Sequence, residues 1–552
     1  MGSRRVDESP SGGFTSDQAR SRERRHGRRI LTTAGSPSRF DDAATAWRAA
    51  LWLAAGLTLL RLAALFSTNL ELYPDEAQYW LWSRELHWGY VSKPPMIAWL
   101  IRATTQIGGD REAWVRASAP LLHAGAMLAL FRAALRLYGA RTALLAGTLY
   151  GLMPAVQVSA LFITTDAPLM LFLALALWAY AALLQAPDGG RRWLIAAGLG
   201  AALGLAFLAK FAVAFFVIGM AIHAVIDRDA RRMWRGWAWA AAFGALALTF
   251  GPNVIWQATH GFATVTHTTK VNAAWNPAAL VHPGKLVEFV LGQLGVVGPI
   301  PLVVMIVGTV VPARRRTLTA EDRLLLCFTW PPVILVSIQA FVSRAHAHWA
   351  AAAYLSGVIL AAAWLVRWRS RGWTIAALAL QGVVALVLLA AIGVPSLVDA
   401  AGAGRRIARL RGWAETASII AGAARAEATR GGLTAVAVED RYLFNELAYY
   451  GRGELTGPGA PPLRMRPASG EALSEAELSA PLAGTEGSRV LIAETAGRPE
   501  VPALPGDFAS AQTLGRWTVK LGGAKTREID LSIGQGYRGP AAGKAPDQAA
   551  SR

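Results

Sequence analysis

The sequence predicts an all-α polytopic membrane protein of about eleven transmembrane helices, with a small extracytoplasmic α/β domain at its C-terminus. Three observations predict it. Of 552 residues, 54% are hydrophobic and only 16% charged, an apolar excess too large for a single soluble core. Charge-poor stretches of about 17 to 25 residues recur between short basic clusters, the length a helix needs to cross roughly 30 Å of hydrocarbon. After about residue 397 the composition shifts toward glycine, proline and charge. The alternation of a membrane β-barrel strand is missing.

Residues 1–48 are rich in Arg, Ser and Gly without apolar periodicity, which predicts a disordered basic cytoplasmic tail. The tail is too long and too charged for the n-region of a cleaved signal peptide, so the run at 49–68 is taken as an uncleaved first span. Further spans are predicted at about 113–135, 142–163, 167–186, 193–209, 211–226, 236–255, 285–311, 323–342, 348–366 and 372–395. Arg136 and Arg141, then Arg191 and Arg192, then Arg228, Arg231, Arg232 and Arg235, then Arg314, Arg315 and Arg316, then Arg367, Arg369 and Arg371 all fall on one side. The positive-inside rule makes that side cytoplasmic. Two short helices meet at Lys210 with almost no loop, and losing one span there would reverse everything after it. An odd span count puts residues 397–540 outside, followed by a disordered tail at 541–552. In this outer domain a helix is predicted from Arg405 to about Ala428, strands at Thr434 to Val438 and Arg489 to Ala493, and a helix from Arg441 to Tyr450 between them. It carries no catalytic signature of its own.

The net charge of +19 would suggest nucleic acid in a soluble protein, but here arginine concentrates in the tail and the short loops, so it reports topology and predicts no nucleic-acid partner. Cys327 is the sole cysteine, which excludes an intramolecular disulfide and a Cys-based metal site; in its apolar run it reads as a small buried hydrophobe.

Chemistry is expected in the first outer loop, residues 69–112, which is far longer than neighbouring helices need. Its aromatic density fits a pair of helices in the membrane interface. Pro74 suits the first position of a helix, which places Asp75 and Glu76 in the first turn, where the helix dipole favours a charged carboxylate that can act as a base. Lys93, ahead of Pro94-Pro95, could present a cation to a phosphate. An interfacial anchor helix with acidic caps and a snorkelling lysine is the competing account, and the residues alone leave both open. Asp166, before Pro168 in the next outer turn, is either a helix cap or a second carboxylate in the same pocket, able to bind an acceptor, hold a metal or tune the base. Lys210 is a candidate because a lysine at that depth is costly unless paired. His260, His267, Lys270, Arg344, His346 and His348 fall on the same side. His346 and His348 supply too few ligands for a zinc site. Tyr79, Tyr90, His267, His346 and His348 are candidate substrate contacts. A secondary transporter and a surface-polysaccharide ligase or polymerase are the rival functions, although no inverted repeat supports the transporter.

Tyr73-Pro74-Asp75-Glu76-Ala77-Gln78-Tyr79-Trp80, His87-Trp88-Gly89-Tyr90 and Lys93-Pro94-Pro95-Met96-Ile97-Ala98-Trp99 resemble the first periplasmic loop of bacterial membrane glycosyltransferases related to protein O-mannosyltransferases and aminoarabinose lipid A transferases (glycosyltransferase family 39, RgtA-like). Thr165-Asp166-Ala167-Pro168, Gly204 to Phe211, Pro252 to Trp256 and His260-Gly261-Phe262 are similar to the same family, over roughly residues 50–355. The resemblance implies a GT-C fold in the inner membrane, an extracytoplasmic active site, a polyprenyl-phosphate sugar donor and a lipid, glycan or protein acceptor. It implies no required cofactor and leaves a divalent cation possible. It makes Asp75 the base or acceptor-binding carboxylate, with Glu76 beside it, and Asp166 joins them as a catalytic candidate from its place in the next outer turn. Lys93 is similar to the lysine that contacts the donor phosphate, across a shorter gap, with Lys210 and Arg344 as further phosphate candidates. Relatives often carry an Asn-Trp pair where this chain reads Ala347-His348-Trp349.

Overall fold

The computed structural model describes residues 1–2, 42–187, 189–234, 237–273, 275, 281–314, 317–467, 472–497 and 503–540. The tail at 541–552 and most of the predicted N-terminal tail lie outside the described residues. The tail's inner boundary moves, because Asp42 caps a helix over Ala43–Ser67 by accepting from Thr45 N–H at 2.8 Å.

Seven described helices are long and apolar enough to cross a membrane, or up to nine if each of two bent helix pairs is one span. The predicted eleven is therefore not reached on length and composition. The two remaining predicted spans correspond to shorter apolar helices, Phe211–Ile226 and Ala353–Arg367. Fifteen residues rise only about 22 Å, short of the hydrocarbon thickness. Every residue from Ala353 to Leu365 is buried, so this helix is a central post enclosed by other helices, and hydropathy cannot distinguish that from a lipid-facing span.

Local chemistry explains the breaks and the close contacts. Ala140–Leu152 and Pro154–Leu161 meet at 56°, where Pro154 cannot continue the ladder. The freed Gly151 carbonyl accepts from Arg61 Nη2 and Gln157 Nε2, both at 2.6 Å, which satisfies an arginine buried within the first span. The second break is sharper, 109° between Pro283–Val296 and the helix beginning at Pro299, and Gly298 supplies the left-handed φ of 91° that it requires. Gly200 and Gly204, four apart, let Gly190–Ala209 approach Ala238–Thr259 closely; a Cβ on Gly200 would lie 1.8 Å from the Ala242 carbonyl oxygen. At one end of the bundle Tyr138 donates to Asp322 at 2.8 Å and Arg367 pairs with the same carboxylate at 2.8 Å. The first loop sits at the opposite end.

The C-terminal domain is a five-stranded sheet of order β2-β1-β3-β5-β4: β1 is Ala435–Val438, β2 Leu463–Met465, β3 Val490–Thr495, β4 Phe508–Gly522 and β5 Lys525–Tyr537. Strands β2, β1 and β3 are parallel, and the β4–β5 hairpin joins β3 antiparallel. The helix over Arg441–Tyr450 stands where expected. The helix before β1 starts at Trp413, because Gly412 is left-handed and residues Gly404–Leu410 form a 3-10 turn. The hairpin was not anticipated. This domain is tied to the first loop: Glu71 accepts from Trp413 N–H at 2.5 Å and Ala414 N–H at 3.2 Å, capping the Trp413–Gly431 helix, and Leu72 N–H donates to the Tyr450 hydroxyl at 2.7 Å.

Candidate active site

The first loop folds as two helices, Pro74–Trp82 and Met96–Gly108. Pro74 opens the first, as its missing N–H allows, and Asp75 follows, half-buried. Asp75 makes no hydrogen bond or ion pair among the described residues, yet its charge is felt by Tyr79, Lys93, Arg441 and Tyr442. A carboxylate surrounded by partners but bonded to none is available to a substrate.

Glu76 is placed differently. Its carboxylate accepts from Arg116 Nε at 2.9 Å, Arg116 Nη2 at 2.7 Å, Ile163 N–H at 2.9 Å and Tyr73 N–H at 2.9 Å, and both side chains of the pair are almost fully buried. With its oxygens already accepting from Arg116 and two backbone N–H groups, Glu76 is built into the wall of the site, a geometry that fits positioning better than the expected catalytic role. Arg116 went unnoticed in the sequence, although an arginine at the mouth of an apolar span was a usable signal.

Lys93 is held at the site by a turn in which Tyr90 N–H donates to the Lys93 carbonyl at 3.1 Å, and Gly89 lies so close to the Trp256 ring that a Cβ would be 2.3 Å away. The same stretch is anchored by Asn253 Nδ2 donating to Trp88 O at 2.5 Å and Thr264 Oγ1 donating to Tyr90 O at 2.7 Å, which gives the Pro252 to Trp256 motif its structural purpose. Burial first, and then Lys210, hold the Lys93 ammonium pKa down to about 8, while Asp75 and Asp166 act in the opposite sense. Asp166 forms an ion pair with Lys210 at 2.7 Å, both largely buried, so the second carboxylate and the costly lysine answer each other. His348 lies beside this pair, and burial with Lys210 nearby lowers its pKa to about 4. His267, 4% exposed, is lowered to about 3 by burial, then by Lys93 and Arg441, and neither ring nitrogen has a partner among the described residues. Both imidazoles are therefore neutral at physiological pH. Tyr79 is buried in the same wall, 5.4 Å from the Trp82 ring, and Tyr90 stacks on Trp82 at 4.6 Å.

Other candidates stand apart. Arg344 donates to Val271 O at 3.0 Å, and its charge reaches His346, which stacks on His348 at 5.7 Å. His260 stacks on Trp256 at 4.2 Å, and Lys270 is exposed. Among the described residues no group of three or more His, Cys, Asp or Glu is placed to hold a metal ion.

A second cation that the sequence did not point to is Arg441. It opens the Arg441–Tyr450 helix behind the Asp440 cap, donates to the Tyr442 hydroxyl at 3.0 Å and joins Lys93 and Tyr79 around Asp75. The C-terminal domain thus contributes to the site.

Asp75 and Lys93 on the first loop, Lys210 between two helices of the bundle and Arg441 from the C-terminal domain form a charged site suited to a membrane-embedded transferase, and the similarity to known proteins places the chain in that class. The profile of the dolichyl-phosphate-mannose-protein mannosyltransferase family matches residues 92–256. Lipid A galacturonosyltransferase RgtD of Rhizobium johnstonii is 35% identical over 403 residues, covering 73% of this chain and 82% of the relative. ArnT from Cupriavidus metallidurans superposes with TM-scores of 0.57 in the apo state and 0.61 bound to undecaprenyl phosphate, at 18% and 17% identity, over 89% of this chain and 98% of ArnT. The chain belongs to the GT-C membrane glycosyltransferases, the family of RgtD and the mannosyltransferases. It is a multi-pass membrane glycosyltransferase, and the transporter reading falls with that assignment.

Proposed function

We propose that the protein transfers galacturonic acid from a polyprenyl-phosphate donor to lipid A on the outer face of the inner membrane, with its N-terminus cytoplasmic and its C-terminal domain periplasmic. The observation that carries the chemistry is the unpaired Asp75 facing Lys93 and Arg441. The sugar and acceptor are supported by the 35% identity to RgtD. An acceptor hydroxyl oxygen attacks the anomeric carbon as its proton passes to the Asp75 carboxylate. The bond from that carbon to the phosphate oxygen breaks, the electron pair stays on the phosphate, and the sugar inverts. Lys93 and Lys210, with Arg441 across from them, offset the charge of the leaving phosphate and of the sugar carboxylate. Lys210 is already paired with Asp166, so Lys93 is the principal phosphate contact. In lipid vesicles with radiolabelled polyprenyl-phosphate galacturonic acid and lipid A, label is expected on lipid A; transfer from other donors in a panel and none from this one would overturn the sugar assignment.

The Lys93 pKa gives this reading a pH signature. The side chain is charged below about 8 and neutral above it, so the cation is lost as pH rises. The donor kcat/KM of wild type is therefore expected to fall as pH climbs through about 8, because kcat/KM reports the free enzyme. Lys93→Arg should remove that step, and Lys93→Ala should cost roughly 10- to 100-fold at neutral pH, as for a lost hydrogen bond to a charged group. A flat profile in wild type from pH 6 to 10 would take the phosphate away from Lys93.

A further inference from the structure

We infer that the cleft between the first loop and the C-terminal domain is a carbohydrate subsite, holding the saccharide of the acceptor beside the hydroxyl that reacts. The inference deepens the proposed glycosyl transfer and rests on it. The cleft has a volume of about 510 Å³, within the roughly 300–1,000 Å³ of ligand pockets. Among the residues lining it are Gln78, Trp82 and Tyr90 from the loop and Asn445, Arg464 and Glu475 from the domain.

Two features point to a ligand. Gln78 and Asn445 are each only 3% exposed, and neither side-chain amide makes a hydrogen bond among the described residues. With no protein partner, the amide atoms of the two residues open into one cavity, where they offer donors and acceptors suited to vicinal hydroxyls, which both give and take hydrogen bonds. Beside them Trp82 and Tyr90 stack on each other, with ring centroids 4.6 Å apart and planes within 4° of parallel. Both line the cleft and give it an apolar wall beside the two amides, which suits a ring with one apolar side and a hydroxyl edge.

Helix periodicity connects the cleft to the reaction centre. Gln78 follows Asp75 by three residues and Asn445 follows Arg441 by four, so each amide lies on the same helix face as a charged group of the site. The rise from one to the other is about 4.5 to 6 Å, roughly one sugar ring. The two helices pack against each other, so the loop and the domain each supply one charged group and, one turn on, one amide. Asp75, Lys93, Lys210 and Arg441 do not line the cleft, so its occupant lies one helical turn from the reaction centre, as the saccharide next to the reacting unit would.

The test varies donor and acceptor separately in wild type, Gln78→Leu and Asn445→Leu, and measures binding of the acyl-free glucosamine disaccharide phosphate of lipid A in nanodiscs by saturation-transfer NMR. The acceptor KM is expected to rise tenfold or more in each variant with the donor KM within twofold, and that retained donor KM certifies the fold. The disaccharide should bind wild type and lose its signal in Asn445→Leu. An unchanged acceptor KM, a shift in donor KM instead, or disaccharide binding that survives both substitutions would overturn the subsite. If wild type transfers no galacturonic acid but binds the disaccharide through Gln78 and Asn445, the subsite stands and the proposed transfer falls.

Discussion

Asp75→Asn is expected to lower the turnover of sugar transfer by roughly 10²- to 10⁴-fold, the usual contribution of a general base, while leaving donor affinity and the melting temperature close to wild type. The separation of activity from stability follows from the geometry. Asp75 makes no hydrogen bond or ion pair among the described residues, so an isosteric amide removes nothing that holds the loop together. The structural cost is the interaction of one carboxylate with the helix dipole, about 0.3–1 kcal/mol, together with its attraction for Lys93 and Arg441 across half-open space. The chemical cost is the whole proton acceptor, since Asp166 is paired with Lys210 at 2.7 Å and Glu76 with Arg116 at 2.7 Å. The check is kcat in vesicles alongside an independent donor Kd. A variant within tenfold of wild type would assign the base to another group.

Lys210 stood out because a charge deep beside an apolar run is expensive, and Asp75, Lys93 and Asp166 because each stands within two residues of a proline at the start of an element. Arg441 did not. It follows Asp75 by hundreds of residues in a soluble domain where an arginine is unremarkable, and only the docking of that domain, through Glu71 and Tyr450, brings it to the site. The different setting of Glu76 has a simpler reason. Neighbouring residues on a helix point about 100° apart, so a carboxylate facing the pocket directs the next into the wall. Spans were legible wherever a long apolar run faces lipid, and the count failed where a helix is short and enclosed, as at Ala353–Arg367. The β4–β5 hairpin did carry a turn signal in Gly522-Gly523, but Ala509 to Thr513 are exposed in a row, so no burial period marks the first half of β4 as a strand.

Breaking the Glu76–Arg116 pair is expected to cost stability first and activity as a consequence. Removing one partner of a buried ion pair typically costs about 3–5 kcal/mol, because the other charge is left uncompensated. Here the pair also organises the backbone: Arg116 Nη1 donates to Leu70 O at 3.2 Å and Nη2 to Glu71 O at 2.7 Å, while Glu76 holds Tyr73 and Ile163. Glu76→Gln should therefore lower the melting temperature, expose the first loop to protease and raise KM for donor and acceptor together. Glu76→Leu combined with Arg116→Met should be less damaging than the sum of the single changes, since no charge is stranded, although the carbonyls of Leu70 and Glu71 stay unserved. The contrast with Asp75→Asn is the decisive comparison. Loss of turnover on a stable fold marks a group that touches the reacting atoms, and loss of stability with both KM values marks one that sets the stage for them. Were Glu76→Gln to melt like wild type and lose only kcat, the carboxylate would regain the catalytic role its place in the sequence suggested, and the buried pair would have to open during the reaction.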